Sequence, residues 1–127
     1  MEAIPVNVFY VTRCYQTRHG NGWISSKEED LKLINNEWEI NTFNEWQKEF
    51  RTGELDYSLL NHALTVDNSY LPLKSKNEVK KNLVVTCMDQ RPDFQLKKQL
   101  LNTKFVDIYS SHSPDNKDFR LNFFYHT

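Results

Sequence analysis

The chain has 127 residues, 39% hydrophobic and 13% aromatic, enough for one compact domain over 1–127 with its own core and no metal or disulfide support. Sixteen basic residues against seventeen acidic ones exclude an electrostatic grip on nucleic acid or an anionic bilayer as the main activity. No apolar run of about twenty residues offers a membrane span, and MEAIPVNVFY lacks the basic start of a secretory signal, so a soluble cytoplasmic protein is expected.

The first element is a strand over 6–15, VNVFYVTRCY, rich in β-branched and aromatic residues. It leads into QTRHGNGWISSKEED, residues 16–30, which holds two of the chain's three glycines, Gly20 and Gly22. The spacing is neither that of a Walker loop nor Gly-x-Gly-x-x-Gly, and a plain strand-to-helix turn is the simpler reading. A helix start there would also present backbone N–H groups to an anion, which makes Arg18, Gly20 and Gly22 candidate ligand-binding residues.

Ser25 with Glu28, or Ser26 with Glu29, has the capping-box spacing, and Leu31, Ile34 and Trp38 follow at helical intervals. Thr42 with Glu45 opens a second expected helix, with Phe43, Trp46 and Phe50 on one face and Gly53 as its stop. A third covers ELDYSLLNHAL, residues 54–64. Residues 66–81 read as a flexible connector with a local basic cluster, Lys74, Lys76, Lys80 and Lys81.

NLVVTCM, residues 82–88, is a continuous apolar run of the kind found in strands buried on both faces. Pro92 suits a first helical position, and DFQLKKQLL is expected as a short helix. KFVDIYS is the next strand, and FRLNFFY closes the chain with period-two alternation. The whole predicts an α/β or α+β fold, a small single sheet of about four strands in the order β-α-α-(α)-β-α-β-β, packed with three to four helices.

If the first three strands run parallel, their C-terminal ends share one edge, where open α/β sheets bind ligands. Three loops then meet, carrying Arg18 and His19, then Asp89 and Arg91, then Ser111 and His112. His19, Asp89, Arg91 and His112 form a candidate acid-base set, with Arg18, Gly20, Gly22 and Ser111 as ligand-binding residues. Each also has a plain role as a turn, cap or surface residue.

Cys14 and Cys87 fall in or beside apolar strands and read as small buried hydrophobes, with a disulfide between them the less favoured alternative. VVTCMDQR resembles the Cys-x-Asp-x-Arg signature of β-class carbonic anhydrases, which implies zinc on Cys87 and a dyad of Asp89 and Arg91. That family's later His-x-x-Cys pair is absent: Ser113, Pro114 and Asp115 follow His112, and no cysteine follows Cys87. Zinc is short of ligands, and no metal or cofactor is expected. NVFYV and the closing order of strand, helix and hairpin are similar to small phage enzymes that degrade S-adenosylmethionine, a match too short to carry over any site residue.

The aromatic content favours a second kind of function. Three tryptophans, six tyrosines and eight phenylalanines exceed what a small core hides, and exposed aromatics anchor interfaces. Phe105, Tyr109, Phe124 and Tyr125 are the candidate interface residues. The expected function is a protein-binding module acting by stoichiometric association with a partner or a second copy, of the inhibitor, immunity or phage-modulator type. The alternative is a small metal-independent enzyme or ligand-binding protein acting on a phosphate-bearing or nucleotide-like substrate at the sheet edge.

Overall fold

The computed structural model describes residues 4–34, 43–72 and 78–121. In chain order its elements are β1 (Val6–Arg13), β2 (Tyr15–His19), β3 (Phe50–Glu54), α1 (Tyr57–Ser69), β4 (Val79–Thr86), β5 (Ile108–Ser111) and β6 (Phe119–Leu121), with short 3-10 turns at Lys98–Leu100 and Asn116–Asp118. The main sheet has the order β1-β4-β5-β6; β2 and β3 form a separate antiparallel pair. β1 and β4 are parallel from Val6↔Val79 to Arg13↔Thr86, β4 and β5 are parallel through Leu83↔Ile108, and β6 returns antiparallel to β5.

The fold is therefore mostly sheet, with one α-helix among the described residues where three to four were expected. The physical reason lies in where the expected capping groups go. The Ser26 hydroxyl donates to the Glu54 carbonyl, the Gln16 side chain bonds Ser25, and the Glu28 carboxylate accepts from Arg51 Nε and Nη2. Nothing is left to start a helix at 25, and residues 25–34 run without helical structure, with Glu28 bridged to Gly53.

Of the second expected helix, Thr42 lies outside the described residues. Asn44 turns the chain instead, accepting the Trp46 and Gln47 N–H groups on its side-chain oxygen. Lys48 takes a left-handed conformation with φ 63°, and β3 follows. Gly53 ends no helix. It sits in β3, where an added Cβ would lie 3.0 Å from the Lys27 carbonyl oxygen.

The expected helix over 93–101 is reduced to the turn at Lys98–Leu100, because its backbone groups bond to α1 side chains. The Lys97 N–H donates to the Tyr57 hydroxyl, the Leu100 carbonyl accepts from Asn61, and the Asn102 N–H donates to Asn61 Oδ1. The third expected helix exists, shifted to start after the Asp56 cap. Of the expected connector, 66–69 belong to α1 and 79–81 to β4, where Lys81 donates to Asn68; Lys74 and Lys76 lie outside the described residues.

The sheet is wound in one direction only, β1 to β4 to β5. Right-handed crossovers between parallel strands then place their described connecting segments on the same face. There Leu83, Val85 and Ile108 meet Leu96, Met88 and Phe105 in the core, and Tyr10 and Lys81 reach Asp67 and Asn68 of α1. The other face receives no connection among the described residues.

Candidate functional site

The uncovered face is built by strand alternation. Register places Val11 beside Val84 and Val84 beside Tyr109, with Leu121 paired to Tyr109 and Phe119 to Ser111. Tyr109 lies between two other rings: Phe119 stacks on it at 4.9 Å and Phe9 stands 6.0 Å away on its other side. Phe9 is 52% exposed and Val11 67%, whereas Val84, flanked by them and Tyr109, is 8% exposed. Arg13 lies at the end of the β1 row and Lys80 at the start of the β4 row.

Of the expected interface residues, Tyr109 belongs to this face. Phe105 does not: it packs with the core, edge-on to Tyr10 at 6.5 Å. Phe124 and Tyr125 lie outside the described residues. Phe9 and Val11 escaped sequence reading because both faces of β1 are apolar, so its alternation does not tell inside from outside.

The parallel order brings two of the three expected loops together. The end of β4 and the end of β5 enclose a cleft of about 330 Å³ lined by Cys87, Asp89, Gln90, Ser111 and Ser113. Gln90 fixes one wall: its amide accepts the Ile34 N–H at 2.6 Å and donates to the Ile34 carbonyl at 3.0 Å, as a paired strand would.

Arg91 turns the other way, over the Phe94 ring and 4.0 Å from the Glu29 carboxylate, and lines a separate cavity with Tyr57 and Lys97. His112 bonds through Nε2 to the Ser110 hydroxyl at 2.8 Å, and Ser110 is fully buried on the core side. Burial first, then the nearby Arg120 charge, lowers the His112 pKa.

The third loop is carried elsewhere. The chain bends at Cys14, and β2 runs on in its own pairing to His19, whose ring packs on Phe50 at 5.0 Å with Nδ1 buried and unpartnered. The glycine stretch is organised around a cation of the chain itself. Arg51 Nη1 donates to the carbonyls of both Gly20 and Gly22, and the Gly20 N–H, at φ 84°, donates to the Glu49 carbonyl at 2.9 Å. Arg18 lies against Gly22, where an added Cβ would fall 1.7 Å from its guanidinium. Carbonyls, not amides, converge at the centre of this loop, the opposite of an anion cradle.

Cys87 is the residue whose setting sequence reading missed. It holds a left-handed φ of 62° at the end of β4, half-buried, packed against the core cluster and among the residues that line the cleft. Cys14 is fully buried beside it, and its thiol donates to the Cys87 carbonyl at 3.2 Å. A short apolar run shows neither the turn nor the pairing.

Comparison with protein-family models, curated proteins and solved structures finds no match to this chain. Its activity is thus to be argued from its own surfaces. Among the described residues no group of three or more His, Cys, Asp or Glu is placed to hold a metal ion, and no helix is long and apolar enough to cross a membrane.

Proposed function

We propose that the chain is a protein-binding module that associates stoichiometrically through the uncovered face of its four-stranded sheet. The observation that carries this reading is the row of rings Phe9, Tyr109 and Phe119 with Val11 beside it, in which Phe9, Phe119 and Val11 are exposed and Tyr109 between the rings is half-buried. Apolar surface removed from water contributes about 25 cal/mol per Å², and aromatic side chains are the commonest interface anchors. A partner presenting an apolar sheet or helix face fits it, a second copy of the chain being the first to test. An intracellular inhibitor, immunity protein or phage-encoded modulator is the class of protein that acts this way.

The small-enzyme alternative draws less support. Asp89 and Arg91 line different cavities, His112 is tied to a buried serine, and His19 lies on the β2–β3 pair. Strand order moves in one direction, so there is no reversal point of the kind that opens a ligand crevice in doubly wound sheets.

The test is native mass spectrometry and sedimentation velocity of the gently purified protein beside Tyr109→Ser. A homodimer or one-to-one complex that Tyr109→Ser dissociates, with the fold retained by circular dichroism, is the expected result. A parent protein that stays monomeric and uncomplexed, or a complex indifferent to the substitution, would overturn the reading.

A further inference from the structure

β1 and β4 pair in parallel register to Arg13↔Thr86, and the next amide along, Cys14 N–H, donates to the Thr86 carbonyl at 3.2 Å. Cys14 and Cys87 are therefore neighbours in space just past the ends of the paired strands, where the Cys14 sulfur lies 3.2 Å from the Cys87 carbonyl oxygen. A disulfide bridges Cα atoms about 4.4 to 6.8 Å apart, and the Cys14 sulfur already reaches the Cys87 backbone. Consecutive residues flank Cys87: the Cys14 thiol donates to its carbonyl, and Tyr15 is close enough for Cys87 to raise the pKa of its phenol.

The two thiols differ in access. Cys14 has no exposed surface, while Cys87 is half-buried and lines the cleft together with the polar residues Asp89, Gln90, Ser111 and Ser113. We propose that Cys87 is a thiol–disulfide exchange site for low-molecular-weight disulfides entering this cleft, with Cys14 as the resolving thiol that closes an intramolecular Cys14–Cys87 disulfide.

In the first step Cys87 loses its proton to solvent and attacks one sulfur of the incoming disulfide. The old S–S bond breaks, one small thiolate leaves and takes a proton, and a mixed disulfide remains on Cys87. Cys14 then loses its proton, attacks the Cys87 sulfur and expels the second small thiolate, which is protonated in turn. The chain gives up two electrons, the small disulfide gains them, and protons balance. Burial, then the neighbouring Cys87, keeps the Tyr15 phenol protonated.

Closure has a kinetic signature. Burial, then the neighbouring Cys87, pushes the Cys14 thiol up to about 12, so its reactive thiolate fraction rises about tenfold per pH unit through the neutral and mildly alkaline range. The test incubates the reduced, folded full chain with oxidised glutathione and follows intact mass and non-reducing peptide maps.

The parent is expected to lose two hydrogens, with the Cys14 and Cys87 peptides linked and closure accelerating about tenfold from pH 7 to pH 8. Cys14→Ala and Cys14→Ser are expected to stop with one glutathionyl group on Cys87, and Cys87→Ser to yield neither product. Circular dichroism of each variant separates lost chemistry from lost fold, and the parent's mass and peptide map decide the matter without any variant. A parent that stays unmodified, halts at the mixed disulfide at pH 9, or links chain to chain through Cys87 would overturn the proposal.

Discussion

Single residues here act chiefly as partners for backbone groups. Asp56 caps α1 by accepting the Leu59 N–H at 3.0 Å, and Asp56→Ala is expected to lower stability by about 1 kcal/mol in urea unfolding at pH 7. A hydrogen bond from Ser25, then the Leu59 and Ser58 amides, holds the Asp56 carboxyl below its ordinary 3.8. Its contribution is thus full above about pH 3.8 and lost as pH falls through the lower folded value, so the parent and Asp56→Ala curves converge in acid. His112 has the other sign. Its folded pKa lies below 6.5, so the unfolded chain binds the proton first and stability declines as pH falls from about 6.5 toward the folded value. Thermal melts from pH 7.5 to 5 on the parent and His112→Gln check this; the expected outcome is a shallower decline in the variant.

At the level of elements, β1, β4 and β5 were legible because β-branched and apolar runs need no distant partner to be recognised. The adjacency of the loops at Asp89 and Ser111 followed from parallel order and is found in the cleft. The helix expected over 25–38 was misread in its described part because local capping signals lost to contacts far along the chain, and that over 42–53 because the Asn44 side chain turns the chain locally. Ser26 serves Glu54, Glu28 serves Arg51, and the Thr52 hydroxyl donates to the Glu29 carbonyl while accepting the Leu31 N–H. No window of ten residues contains both members of these pairs. α1 was legible because its cap and its buried Leu64 lie within one short stretch. Leu64→Ala is expected to cost about 2 to 5 kcal/mol in urea unfolding, against well under 1 for exposed Leu59→Ala, although both leucines read alike in sequence.

For the molecule as a whole, the direction of winding is the decisive feature. A sheet that reversed its strand order would place crossovers on both faces and open a crevice between them. This one moves from β1 to β5 without reversal, so α1 and residues 94–105 cover one face and the ring of Phe9, the Tyr109–Phe119 stack and Val11 remain on the other. If that face is the docking surface, the effect of a charge must depend on which side of the sheet carries it. Val11→Lys places an ammonium among the rings without disturbing the core, since Val11 is 67% exposed. Val66→Lys places the same charge on α1, where Val66 is 41% exposed, on the covered side of the molecule. Val11→Lys is expected to weaken association by about 2 kcal/mol or more, roughly thirtyfold in Kd, while Val66→Lys leaves it within a factor of about two. Sedimentation across a concentration series gives both constants, and matched melting temperatures would establish that the fold is unaffected. Equal losses in the two variants would instead mean that charge or general destabilisation, and not the uncovered face, governs association.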